Sequence, residues 1–208
     1  MPVIALVGNK GGAGKTTLSV NLSSCLARNK SIAVIDSDPQ GSAHQWRIFS
    51  DDEDAMPVFH KTDNLDSHAS ELLNDYEYVV IDCPPSVHAP QTTSVLGFTD
   101  VALIPVQPSP VDLWATIHIE EAVEEARAKN PGLQALLVIN QLEVRTTMSR
   151  VVREAVKEIG LPVAETALRR RAIYRSSALE GKSVFDMGKR GADAADELEQ
   201  LMQEIIRL

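Results

Sequence analysis

The chain has 208 residues, 44% hydrophobic and 24% charged, and a formal net charge of −9. This is ordinary globular usage with no case for disorder, and a chain of this length buries about 70–75% of the surface its unfolded form exposes, so one core is expected. Cys25 and Cys83 show no paired CxxC spacing, which excludes a disulfide framework and a structural zinc site.

The first apolar run, residues 3–7, is too short for a membrane span and follows no basic region. It reads as a strand, not as a signal peptide, and implies a cytoplasmic protein. A helix is predicted over 15–29, a strand over 32–35, and further strands over 78–81 and 101–104. A helix over 111–129, a strand over 135–139, a helix over 148–159, a weaker strand over 162–164 and a helix over 193–207 complete the pattern. The apolar runs do not alternate with polar residues, as expected of parallel strands buried on both faces. Strand and helix in alternation predict a mostly parallel twisted sheet flanked by helices on both faces, with ligands at the carboxyl ends of the strands. No linker or repeat divides the chain, so residues 1–208 read as a single α/β domain.

Between the first strand and the first helix lie Gly8, Asn9, Lys10, Gly11, Gly12, Ala13, Gly14, Lys15, Thr16 and Thr17. A phosphate group needs backbone N–H groups aimed at it from a loop and a helix N-terminus, and glycines at 11, 12 and 14 permit that approach. Lys15 supplies charge to the β- and γ-phosphates of ATP, and the Thr16 hydroxyl is suited to Mg2+. This is a P-loop, departing from the plain form at Asn9, which replaces the first glycine, and at Lys10, a second lysine. Lys10 as a solvated surface charge is the alternative.

The second strand runs into Asp36, Ser37, Asp38, Pro39, Gln40 and Gly41. Two carboxylates beside a phosphate loop can order magnesium's waters and accept a proton from an attacking water, while an acidic turn or helix cap is the competing explanation. Asp82, at the end of the apolar run 78–81, suits a Walker B carboxylate aimed at the metal from a rigid strand.

The loop with its two lysines, the 35–41 segment and the 79–85 segment together resemble the ParA/MinD family of deviant-Walker ATPases, most closely the small ParA-type proteins that partition or position cargo. The resemblance spans essentially the whole chain. It implies a P-loop NTPase in which Lys10 reaches across a homodimer to the partner's sandwiched ATP, Asp38 positions or activates water, and Asp36 and Asp82 surround Mg2+ through water. It further implies that Asn140 faces the purine, that the segment containing Pro108 borders base and ribose, and that Gly11, Gly12, Gly14, Lys15, Thr16 and Thr17 hold the nucleotide. The chain starts at the phosphate-loop strand, so no N-terminal helix-turn-helix extension is expected.

Residues 145–175 carry eight Lys and Arg against three acids, in a chain that is otherwise acidic. Arg145, Arg150, Arg153, Lys157, Arg169, Arg170, Arg171 and Arg175 could bind nucleic acid phosphates without reading sequence, or pair with Glu154, Glu158 and Glu165 on a solvated face. The resemblance favours nonspecific DNA of the nucleoid, a ParB-like adaptor that stimulates weak hydrolysis, and a plasmid, chromosome region, carboxysome or chemoreceptor cluster as cargo. A MinD-like membrane protein would end in a basic amphipathic helix, whereas Leu198, Leu201, Met202, Ile205 and Leu208 form an acid-backed stripe suited to core packing, with no membrane partner expected. An iron–sulfur electron carrier is disfavoured by the placement of Cys25 and Cys83. A carboxylate-activating ligase on the same fold is disfavoured by Lys10 and the basic segment. His44, His60, His68, His88 and His118 lack ligand spacing and read as surface or core residues.

Overall fold

The computed structural model describes residues 2–50, 55–143, 151–152 and 154–208. Six parallel strands form one sheet in the order β3-β2-β4-β1-β5-β6: β1 (Val3–Leu6), β2 (Ile32–Asp36), β3 (Val58–His60), β4 (Tyr78–Asp82), β5 (Val101–Val106) and β6 (Gln134–Ile139). The connecting helices are α1 (Lys15–Ala27), α2 (Ser42–Ile48), α3 (Leu65–Leu72), α4 (Pro90–Leu96) and α5 (Pro110–Arg127); after β6 come α6 (Ile173–Leu179) and α7 (Ala192–Ile206). Short 3-10 segments occupy Val156–Glu158 and Val184–Arg190.

Successive residues of a strand face opposite sides of the sheet, and each side here has its own core. Val3, Ala5, Ala33 and Ile35 meet α3, α4 and α5 on one face, while Ile4, Leu6, Ile32 and Val34 meet α1 and α7 on the other. Burial on both faces explains why the strands read as unbroken apolar runs. Apart from the weaker one over 162–164, the predicted strands and the first and last predicted helices fall within two residues of the observed ones.

Three differences have physical causes. β3 is a short edge strand with partly exposed residues, so it carried no apolar signal. Residues 162–164 form only an isolated bridge, Val163 with Leu137, at the open edge of β6. Of the helix predicted over 148–159, the described residues 151, 152, 154 and 155 are helical before the 3-10 turn, and the remainder up to 150, with 153, lies outside the described residues.

Pro105 lies inside β5, where a missing N–H would ordinarily break a ladder. Leu103 gives its carbonyl to the Val7 N–H, so Leu103 and Pro105 both turn their amide groups toward β1. The β1 ladder reaches only to Leu103 before the chain enters the loop, and Pro105 therefore interrupts nothing. No described helix is long and apolar enough to cross a membrane. Leu198, Leu201, Met202 and Ile205 of α7 are buried in the core as the stripe predicted, whereas Leu208 lies beyond the helix and is exposed.

Candidate functional site

β1 ends at Leu6 in register with Asp82 of β4, and Asp82 in turn pairs with Asp36 of β2. The sheet order therefore places both carboxylates beside the loop that leaves β1. Gly14 caps α1 with a positive φ of 95°, and a Cβ there would run into the Asn140 side chain. Gly11 and Gly12 face open space on the loop. A backbone laid bare in this way leaves room for phosphate oxygens against its N–H groups.

Lys15 is only 7% exposed, and its ammonium donates to the Lys10 carbonyl at 3.2 Å. Burial lowers its pKa, against the opposing pull of Asp82, Cys83 and Asp38. Thr16 donates its hydroxyl to Asp82 Oδ2 at 2.6 Å. The Ser19 hydroxyl lies 2.9 Å from Asp82 Oδ1 and 3.0 Å from the Lys15 carbonyl, one proton between two acceptors. Burial pushes the Asp82 carboxyl up to about 7, the Asp36 charge adds to the rise, and the Thr16 and Ser19 hydroxyls oppose it. Asp36 is likewise raised by burial, and its carboxylate accepts the N–H groups of His44 at 2.9 Å and Asp38 at 3.2 Å. The Asp36 carboxylate thus organises the start of α2, as the competing helix-cap explanation supposed, while its strand lies beside Asp82 of β4. Asp38 is half-buried on the same turn and accepts the Gln40 N–H at 2.9 Å.

The far side of the loop is braced by amides. Asn140 donates to the Ala13 carbonyl at 2.8 Å and accepts the Gln141 N–H at 2.9 Å; Gln141 and Gln107 both donate to the Gly12 carbonyl. Gln107 and Gln141 were assigned no role from sequence, because a glutamine's partner depends on the fold and not on its neighbours in the chain. Pro108 follows Gln107 just beyond the end of β5. The adjoining cavity of about 520 Å³ has other walls: Gly14, Thr17, Asn140, Gln141, Tyr174 and Arg175, with Arg169 to Arg171. The Tyr174 hydroxyl is buried on that wall with no hydrogen-bond partner among the described residues. An unsatisfied buried hydroxyl costs about 1–3 kcal/mol.

The basic segment divides. Arg170 pairs with Glu143 at 2.6 Å, Arg171 with Asp193 at 2.9 Å and Glu197 at 2.7 Å, and Arg169 with Glu197 at 3.4 Å. These ion pairs run to α7 and the end of β6, joining the cavity wall to the core. Arg175 lines the cavity. Arg145, Arg150 and Arg153 lie outside the described residues.

Thr16, Asp36 and Asp82 present hydroxyl and carboxylate oxygens, the hard donors that Mg2+ takes. Among the described residues no three His, Cys, Asp or Glu side chains converge on one point. The donor set therefore fits an ion that keeps waters and shares substrate phosphates better than one held wholly by protein.

A family model described as the CobQ/CobB/MinD/ParA nucleotide binding domain matches residues 4–184. The maintenance of carboxysome distribution protein A of Halothiobacillus neapolitanus is 42% identical over 207 residues, covering 98% of this chain and 95% of its own. Among solved structures, a Cyanothece McdA complex with ATP is similar with a TM-score of 0.77 at 16% identity, covering 100% of this chain and 97% of that one. Cobyrinic acid a,c-diamide synthase of Mycobacterium smegmatis, with bound ADP and magnesium, gives a TM-score of 0.78 at 19% identity, covering 99% and 94%. At those identities the two structures speak to fold alone. The match of the family model over most of the chain, together with the loop, Asp36 and Asp82 at adjoining strand ends, shows that the chain belongs to the CobQ/CobB/MinD/ParA nucleotide-binding family.

Proposed function

We propose that the chain is an ATP-dependent positioning switch acting as one unit over residues 1–208. ATP with Mg2+ occupies the loop, two subunits close over the sandwiched nucleotides, and the homodimer binds DNA of the nucleoid without reading its sequence. A ParB-like adaptor then stimulates weak hydrolysis of ATP to ADP and phosphate, and the DNA is released. The carboxysome is the cargo we favour, because the relative that is 42% identical is named for carboxysome distribution.

The observation that carries the reading is the pair of lysines on one phosphate loop, with Lys15 buried and bonded to the Lys10 carbonyl. Lys15 serves the phosphates of its own subunit. Lys10 then accounts for contact with the nucleotide of a second subunit, so that phosphate charge joins the two. Gly11, Gly12, Gly14 and Thr17 frame the nucleotide, the cavity beside Asn140 and Tyr174 receives the base, and Pro108 borders it. Thr16, Asp36 and Asp82 hold Mg2+ directly or through water, and bound there the ion neutralises charge that develops on the phosphates during transfer. Asp38 orients the attacking water and takes its proton. The buried apolar stripe of α7 weighs against a MinD-like membrane helix, since it leaves no free apolar face to enter lipid.

The test is retention of random-sequence DNA by the wild-type protein. With ATP, DNA is retained and is released as salt rises; with ADP, or with Lys15→Ala, it is not. Failure of ATP to produce salt-sensitive retention would refute the positioning switch.

A further inference from the structure

His60 closes β3 and sits in register with Asp36 of β2, with the Lys61 N–H donating to the Asp36 carbonyl at 3.0 Å. Its side chain turns to the neighbouring 36–41 turn, where Nε2 lies 3.0 Å from the Asp38 carbonyl. A carbonyl can only accept, so Nε2 carries the proton and donates. The same carbonyl accepts the Gly41 N–H at 2.9 Å, which closes the turn. Both lone pairs of the Asp38 carbonyl are thereby used, one by the turn itself and one by a side chain from another strand.

The imidazole is held from two further sides. The His44 ring stacks on it with centroids 5.9 Å apart and an interplanar angle of 26°. Gly41, at a φ of 66°, leaves the His60 ring at contact distance, 3.5 Å from where a Cβ would stand. His44 is itself fixed by its N–H to the Asp36 carboxylate. The turn carrying Asp38 is therefore anchored at its base by Asp36 and at its tip by a ring that edge strand β3 contributes.

We propose that His60 is a positioning residue for hydrolysis: its Nε2–H holds the Asp38 carbonyl, and thereby aims the Asp38 carboxylate at the attacking water. The proposal rests on the reading of Asp38 as the group that activates water. It assigns β3, which carries no residue of the phosphate site, the task of setting the geometry of the reacting group. Such a residue changes turnover and leaves nucleotide binding alone, because its ring bonds to the 36–41 turn.

Steady-state MgATP hydrolysis by full-length His60→Phe, His60→Gln and Asp38→Ala, and by Asp38→Ala combined with His60→Phe, tests this. Phe keeps the ring against His44 and Gly41 but lacks the donor. Gln returns an N–H at nearly the same reach. The expected result is a fall of about fivefold in kcat for His60→Phe with KM for ATP unchanged, the factor one ordinary hydrogen bond supplies. His60→Gln recovers to within about twofold of wild type, and His60→Phe has no further effect once Asp38 is alanine. Wild-type kcat in His60→Phe, or no recovery in His60→Gln, overturns the positioning role while leaving Asp38 in place. Wild-type hydrolysis by Asp38→Ala overturns the reading of Asp38 instead, and is distinguished by that variant alone.

Discussion

Asp82 is 1% exposed, yet it holds the position that the Thr16 hydroxyl and Ser19 hydroxyl both address. Burial raises its folded-state pKa to about 7 from the ordinary 3.8 of an aspartate, so in the nucleotide-free protein the folded state binds the extra proton. The sign follows: the protonated carboxyl is compatible with burial at low pH, and stability from this group is lost as pH rises from about 4 through about 7. Asp82→Asn removes that titration, and thermal melts of the nucleotide-free protein should show its pH dependence flattened over this window. Ser19 makes a second test. Ser19→Ala leaves one Asp82 oxygen without its hydroxyl partner, and removal of an outer partner of this kind typically lowers metal affinity about 10–100-fold. Titration of Mg2+ against a fluorescent ATP analogue should show a loss of that order, with Mg2+-free nucleotide binding little changed. A Ser19→Ala protein that binds Mg2+ and nucleotide as wild type would remove Ser19 from the site.

At the scale of elements, the strands were legible because each is buried on both faces, and the phosphate loop was legible because glycine spacing, lysine and threonine meet at a strand–helix junction. β3 was not, since Val58, Phe59 and His60 are half-exposed at an edge. Its contribution to the Asp38 turn depends on register with β2, which no local pattern encodes. Gln107, Gln141, Ser19 and Tyr174 were silent for the same reason: each gains meaning only from a neighbour far along the chain. The basic segment was legible as charge but not as geometry. Its observed ion pairs run to Glu143, Asp193 and Glu197, two of them on α7, a helix read from sequence only for its apolar stripe. Glu197 is the acid shared by Arg169 and Arg171. If these arginines serve DNA, Glu197→Ala should strengthen ATP-dependent DNA retention and raise the salt needed to release it. Unchanged or weakened retention would assign both arginines to holding the cavity wall. Leu198→Ala, one position on and fully buried, should instead cost about 2–5 kcal/mol in denaturant unfolding without a specific effect on DNA.

The whole molecule joins two cores through one sheet, and the phosphate loop, the carboxylates and the bracing amides stand at the carboxyl ends of its strands. β1 supplies the loop, β2 and β4 the carboxylates, β5 and β6 the bracing amides. A site laid along an open edge has one side turned outward, and Lys10 gives that side a purpose if a second copy closes over it. In the proposed function ATP is thus the joint between two chains. Sedimentation velocity of Asp38→Ala with MgATP tests it most directly, since under the proposed role of Asp38 slowed hydrolysis would preserve the joined state. The account predicts a shift from the 22.7 kDa monomer to twice that mass with ATP, no shift with ADP, and loss of the shift when Lys10→Ala is added. A protein that stays at monomer mass while saturated with ATP would contradict it.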